Sequence, residues 1–309
     1  FRYPKAGEDN SKVSLHLYDL RTNKTNDIFL GKDYEYFPRV KWFDSSDYKQ
    51  QLIIFGMNRN QNELDILIAQ TDGSTKLLFT EKDKYYIDIH DNMTFLKNHD
   101  GFIWTSEKDG FNHIYIKSLT GMRDIQITKG NWEVTKFHGV DDNYTIYFSS
   151  NESGSIYSSL YKIDLNDDDY KRILMTEDTG TNNITFSKGM KYFMNNYSNN
   201  KMPPFITLNR TSNGERIKLL EDNYKLSEKL KEYNLSEKEF FTIETEPSIE
   251  LNAWMMKPTN FNPKKKYPLF MFLYGGPGSQ QVKDSWGRFN YFWYQYLNQL
   301  GYIVACVDN

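Results

Sequence analysis

Tyr267-Pro-Leu-Phe-Met-Phe-Leu-Tyr-Gly-Gly-Pro-Gly-Ser-Gln280 decides how the chain is read. Leu269 to Leu273 is an unbroken apolar run, too short for a helix of its own, and Tyr274-Gly-Gly-Pro closes it abruptly. It is expected to be a strand buried on both faces of a covered, parallel sheet. Downstream, Phe289, Phe292, Trp293, Tyr296, Leu297 and Leu300 recur at three- and four-residue spacing, with Gly301 where a C-cap belongs. That pattern predicts a helix with an aromatic stripe along one face. Tyr302 to Val307 is a second apolar run. Strand, glycine-rich turn, helix and strand make one βαβ unit, and ligands bind beyond the carboxyl ends of strands in open parallel sheets. The Tyr274 turn is therefore the best-placed candidate for chemistry, although paired glycines also serve simply to reverse a chain.

Upstream, residues 1 to about 210 form a series of short β patterns rich in Tyr, Phe, Ile and Thr, separated by Asn, Asp, Gly and Ser clusters. The string Thr94-Phe-Leu-Lys-Asn-His-Asp-Gly-Phe-Ile-Trp-Thr-Ser106, continuing to Ile114-Tyr-Ile-Lys-Ser-Leu119, has counterparts beginning at Lys136 and Thr185, and a weaker one at Lys41. Anchored on Phe43, Phe95, Phe137 and Phe186, the steps are 52, 42 and 49 residues, near the period of four-stranded propeller blades. The expected fold is thus mainly β: a partial β-propeller of about four blades, followed by the first strands and helix of an α/β domain. A β-sandwich with coincidental spacing is the alternative.

Between the two parts, residues 213–240 are highly charged, with Asp222-Asn223 placed to cap a short helix at Lys225–Glu232. Phe240–Ile243 and Leu251–Met256 suggest a hairpin around Glu246-Pro247-Ser248, and Pro258–Lys266 a solvated loop. The domain boundary is expected at 235/236, giving blades and connector in 1–235 and the α/β part in 236–309.

With 38 basic and 41 acidic residues the net charge is −3, which argues against a nucleic-acid partner bound through phosphate neutralisation. No apolar run is long enough to span a bilayer, and there is no signal-peptide pattern. Cys306 is the single cysteine, so neither an internal disulfide nor a cysteine metal site can form, and no metal or cofactor is expected. Asn-x-Ser/Thr sequons at Asn92, Asn143 and Asn151 signify surface loops only where the protein is secreted by a eukaryote. In the blades, Arg39 and Arg59 could reach a substrate carbonyl or carboxylate, or simply satisfy turn backbone. Tyr85-Tyr86 could line an apolar pocket rim or pack at a strand end.

The motif Tyr-Pro-Leu-(apolar)-Tyr-Gly-Gly-Pro-Gly-Ser-Gln, with Trp286 and the aromatic helix behind it, resembles the opening of the catalytic domain in the dipeptidyl peptidase IV branch of the prolyl oligopeptidase family. The likeness continues in family order through Tyr3-Pro-Lys-Ala-Gly7, Tyr36-Phe-Pro-Arg-Val-Lys-Trp42, Met57-Asn-Arg-Asn-Gln-Asn62, Lys108-Asp-Gly-Phe-Asn-His-Ile-Tyr115 and Thr128-Lys-Gly-Asn-Trp-Glu-Val134. The resemblance implies an α/β-hydrolase domain capped by a propeller, a Ser-Asp-His triad, and release of dipeptides, usually after proline or alanine, from peptides with a free amino terminus. It further implies a homodimer for the full-length protein. Tyr274 matches the family tyrosine whose hydroxyl stabilises the oxyanion, against the plainer reading of one core tyrosine among 23.

Several family features are missing. No Gly-x-Ser-x-Gly elbow occurs, and all five histidines (His16, His90, His99, His113 and His138) precede Tyr274, whereas the triad histidine follows the nucleophile in hydrolases of this kind. No adjacent Glu-Glu pair, which the family uses to bind the amino terminus, is present. The chain starts at Phe1 without a methionine. A fragment lacking the nucleophile, and inactive by itself, is therefore expected. The absence of disulfides points to a bacterial periplasmic or cell-envelope protein. The alternatives are a propeller binding scaffold with a non-catalytic hydrolase-like domain, or a related acyl-peptide hydrolase or endopeptidase.

Overall fold

The computed structural model describes residues 3–43, 51–97, 101–276 and 278–308. His99, Pro277, Asn309 and the side chains of Phe43 and Phe289, all used in reading the sequence, lie outside the described residues. Two compact units are present, Phe1–Lys129 and Gly130–Asn309.

The first unit opens with a hairpin, β1 (His16–Asp19) and β2 (Lys24–Asp27). Two antiparallel four-stranded meanders follow. One is β3 (Tyr36–Phe43), β4 (Gln51–Met57), β5 (Glu63–Ala69) and β6 (Thr75–Lys82); the other is β7 (Thr94–Phe95), β8 (Gly101–Ser106), β9 (His113–Ser118) and β10 (Asp124–Gln126). β4 is apolar at almost every position because both of its faces are covered. Ile53, Phe55 and Met57 enter a core with Ile66, Phe102 and Trp104, while Leu52 and Ile54 face Ile28, Leu67 and Ala69. The two-residue period of a strand sorts the side chains into these two clusters.

The second unit carries two more such blades. These are β11 (Val134–Val140), β12 (Thr145–Ser150), β13 (Ser159–Asp164) and β14 (Ile173–Leu174), then β15 (Thr181–Phe186), β16 (Tyr192–Ser198), β17 (Phe205–Arg210) and β18 (Arg216–Glu221). Phe43, Phe95, Phe137 and Phe186 each fall in the first strand of a blade, so the repeat seen in the sequence is the blade repeat of a partial β-propeller. β18 takes up the start of the charged 213–240 stretch, whose connecting role begins only after Glu221. In α1 (Tyr224–Leu230), Asn223 holds the N-cap position with φ +52 and no side-chain cap bond. Asp222 Oδ1 instead accepts the Tyr224 N–H at 2.9 Å.

The last part of the chain pairs β19 (Lys238–Glu246) with β20 (Ile249–Met256) as the expected hairpin, then adds β21 (Leu269–Phe272), α2 (Arg288–Gln299) and β22 (Ile303–Val307). The sheet order is β19-β20-β22-β21, and only β21 and β22 run parallel. β21 and β22 form the expected parallel pair beside the antiparallel hairpin, and of the two-sided burial expected for Leu269–Leu273 this chain shows one covered face. β21 is an edge strand here, so Phe270 and Phe272 turn into the core while Leu269, Met271 and Leu273 are exposed.

The helix face also differs from its apolar pattern. Phe292, Trp293, Tyr296 and Leu300 are exposed, and the buried side is Tyr294, Gln295, Leu297 and Asn298. Two polar side chains pin the helix there. Gln295 exchanges two 2.8 Å hydrogen bonds with the backbone of Ser236, and Asn298 Nδ2 donates to the carbonyls of Met256 at 3.1 Å and Tyr302 at 2.9 Å. Gly301 ends the helix at φ +89. With Tyr302 N–H on the Leu297 carbonyl and Gly301 N–H on that of Asn298, at 3.0 Å each, it closes a Schellman motif.

Candidate functional site

Tyr274 stands two residues beyond β21, at the carboxyl end of a strand whose register sets Phe272 opposite Cys306. Below it, Phe270 and Phe272 pack with Trp254, Tyr294 and Val304, so the loop springs from a rigid floor. The phenol itself is 50% exposed, and its hydroxyl has no hydrogen-bond partner among the described residues. A β-carbon on Gly276 would lie 3.0 Å from Tyr274 Cε1, so the second glycine of the motif leaves the ring its space.

The continuation of this loop is stitched to the third and fourth blades. Gln280 Nε2 donates to the Ser155 carbonyl at 2.6 Å, and Asp284 N–H to that of Ile156 at 2.9 Å. The Asp284 carboxylate accepts Asn200 N–H at 2.8 Å, while its carbonyl accepts the Thr181 hydroxyl at 2.9 Å. Trp286 N–H donates to Ser198 Oγ at 3.2 Å. An O–H donor facing solvent from the end of a parallel strand is suited to stabilise negative charge on a substrate oxygen.

The other candidates lie in the first unit, engaged with neighbours. Arg39, on β3, makes a bidentate pair with Asp91 at 2.8 and 3.2 Å and donates to the Pro38 carbonyl at 2.7 Å. Arg59, in the turn after β4, donates to Glu35 Oε1 at 2.7 Å. Tyr86 is half exposed at the rim of a cavity of about 150 Å³, and Asp83 holds its turn by accepting the Tyr85 and Tyr86 N–H groups at 2.6 and 3.0 Å. The lining of that cavity sets Glu81, His90, Asn92 and Ser106 beside Ile87 and Trp104, so the rim encloses a space of mixed polarity.

His90 sits against Trp104 with ring centroids 4.4 Å apart. Its Nε2 faces the Thr105 carbonyl at 2.8 Å and its Nδ1 receives the Asn92 N–H at 3.3 Å. A carbonyl only accepts and an N–H only donates, so the ring is neutral with its proton on Nε2. Burial accordingly pushes its pKa down to about 4. His138, beside Ser149 Oγ at 2.9 Å, is likewise lowered to about 4 by burial and then by Lys136. Unfolding returns both to the ordinary histidine value near 6.5.

The unfolded chain therefore binds protons that the folded one refuses, and the stability present above about pH 6.5 is lost as pH falls toward 4. Each histidine contributes a slope of at most about 1.4 kcal/mol per pH unit. His90→Gln or His138→Gln should flatten this decline in urea unfolding at pH 7.5, 5.5 and 4.5; an unchanged slope would contradict the buried neutral state.

Residues 1–204 match the family model described as the dipeptidyl peptidase IV (DPP IV) N-terminal region. The chain belongs to the dipeptidyl peptidase IV family. Among solved structures it is similar to dipeptidyl peptidase 4 of Porphyromonas gingivalis, with a TM-score of 0.89 and 38% identity over 100% of this chain and 43% of that one. Curated relatives include a probable dipeptidyl-aminopeptidase B of Sclerotinia sclerotiorum, 30% identical over 99% of this chain and 35% of its own length. Dipeptidyl peptidase 4 of Trichophyton rubrum is 27% identical over 100% of this chain and 41% of its own. The chain thus spans well under half the length of the proteins it matches.

In this dipeptidyl peptidase IV-like chain one further constellation has the spacing of a catalytic triad. Ser14 Oγ lies 2.8 Å from His16 Nε2, and His16 Nδ1 lies 2.8 Å from Asp27 Oδ1. It occupies the β1–β2 hairpin with the Asp27 side chain 89% exposed. Water there competes for every hydrogen bond, and no enclosure surrounds the group among the described residues.

Proposed function

We propose that this chain is the propeller-to-hydrolase part of a serine exopeptidase that releases X-Pro or X-Ala dipeptides from peptides with a free amino terminus. The observation that carries the proposal is the Tyr274 loop: a phenol on a strand-end turn with no hydrogen-bond partner among the described residues, within a chain of dipeptidyl peptidase IV type. In the reaction, a serine oxygen attacks the carbonyl carbon of the second residue. The Tyr274 hydroxyl donates a hydrogen bond to the oxygen that becomes negative. The amide C–N bond then breaks, the amine leaves with a proton, and water hydrolyses the acyl-enzyme. The serine, its acid and its histidine belong to sequence outside residues 1–309, so the chain alone is inactive.

Within this reading, 1–235 forms the blades and connector and 236–309 begins the catalytic domain. Tyr86 contacts substrate at its cavity rim. Arg39 and Arg59 offer their solvent-facing guanidinium edges, since exposed ion pairs such as theirs are worth only about 0–1 kcal/mol and yield to a competing carbonyl or carboxylate. The whole protein acts as a homodimer in the periplasm or cell envelope of a bacterium, without metal or nucleic acid.

The test is hydrolysis of Ala-Pro and Gly-Pro anilides by the whole protein, with free and with acetylated amino termini. Cleavage of the free forms alone is expected. Equal cleavage of the acetylated forms would point to an acyl-peptide hydrolase or endopeptidase, and cleavage of neither to a binding scaffold.

A further inference from the structure

Between Tyr274 and Gln280 the sequence runs Gly-Gly-Pro-Gly-Ser279, and Gly275, Gly276 and Gly278 bring no side chain to pack against the tyrosine. Both ends of the loop nevertheless return to one strand. At its start, the parallel register sets Phe272 opposite Cys306. Tyr274 follows Phe272 by two residues, as Asp308 follows Cys306. Asp308 is itself anchored, its N–H donating to the Asn252 carbonyl of β20 at 3.0 Å.

At the far end of the loop, the Asp308 carboxylate takes one N–H on each oxygen. Gln281 N–H donates to Oδ1 at 2.7 Å and Val282 N–H to Oδ2 at 2.8 Å. Val282 is held from its other side as well, since its carbonyl accepts Gln280 Nε2 at 3.1 Å and its side chain is fully buried. An ionised carboxylate has two acceptors for two adjacent backbone donors, and such charge-assisted bonds are the strong ones. An amide offers one acceptor and turns an NH₂ toward the second N–H.

We infer that Asp308 is a positioning residue for Tyr274, closing the glycine-rich loop with a two-pronged carboxylate clamp so that the phenol is held where the oxyanion forms. The inference rests on the oxyanion role proposed for Tyr274. Clamping a short loop at both ends removes conformations its glycines would otherwise sample. A catalytic donor misplaced by about 1 Å loses up to about a hundredfold in rate.

The test is a double-mutant cycle in the whole protein, measuring kcat and KM for Gly-Pro anilide with wild type, Asp308→Asn, Tyr274→Phe and the double variant. Asp308→Asn should lower kcat by about tenfold with KM within about twofold, and should cost nothing further once Tyr274 is phenylalanine. Equal losses from Asp308→Asn in both backgrounds would overturn the clamp and leave the tyrosine's role standing. Full activity of Tyr274→Phe would instead remove the reading on which the clamp rests. Thermal unfolding reports whether the asparagine variant folds. If it does not, Asp308→Glu, which keeps both acceptors but displaces them by one methylene, carries the same cycle with the same two outcomes.

Discussion

Replacing Tyr274 by phenylalanine in the whole protein is expected to lower kcat by about a hundredfold or more while KM stays within a few-fold. The substitution removes one oxygen and leaves the ring over Gly276, where a β-carbon would already crowd it, so the loop should keep its shape. The hydroxyl is half-exposed and has no partner among the described residues, so no internal hydrogen bond is lost and folding stability should hardly change. What disappears is a donor whose energy is realised only when negative charge has developed, typically worth roughly 3 kcal/mol. An interaction made only in the transition state lowers kcat and kcat/KM together. Steady-state kinetics on a dipeptide anilide distinguish this from lost substrate affinity, which would raise KM and spare kcat.

The largest expected effect on stability is that of Trp104→Ala in the first unit. Trp104 is fully buried on β8, within 5.8 Å of the Phe55 ring and edge-on to Phe79 at 5.2 Å. Its Nε1–H donates to Glu81 Oε2 at 3.2 Å, and the same buried carboxylate receives the Ser106 hydroxyl. Truncation opens a cavity that the two adjoining strands cannot collapse into, a loss of about 3–5 kcal/mol. It also leaves Glu81 with one donor fewer, a further ~1–3 kcal/mol. Trp104→Phe keeps most of the volume and loses the donor, so it should cost only about 1–3 kcal/mol. Urea unfolding of the three proteins gives the comparison, and a Trp104→Ala change below about 1 kcal/mol would contradict the packing.

Strand content and blade period were legible in the sequence because local pattern decides them. Phe43, Phe95, Phe137 and Phe186 recur at the spacing of the blades and fall in their first strands. The β19–β20 hairpin turns at the expected Pro247-Ser248, and Cys306 is buried as the apolar run around it suggested. Tyr274 stands at a strand end because the Gly-Gly-Pro that follows cannot continue one.

What escaped depended on partners distant in the chain. Nothing near Arg39 announces Asp91, whose carboxylate holds it across 52 residues. The buried face of α2 is chosen by Gln295 and Asn298, whose amides satisfy backbone groups of Ser236, Met256 and Tyr302. A reading that sorts helix faces by apolarity places both of them outside. β21 is uniformly apolar, and within this chain its Phe270 and Phe272 are the side chains that reach the core. The link from Asp308 to Gln281 and Val282 likewise arises only when β22 returns beside β21.

Release of chromophore from Gly-Pro anilide, measured side by side with the whole protein and with residues 1–309 alone, tests the central claim most directly. Turnover by the whole protein and none by the isolated chain is predicted, as the proposal of Tyr274 as oxyanion donor to a nucleophile outside residues 1–309 requires. Turnover by residues 1–309, or silence from both, would contradict it.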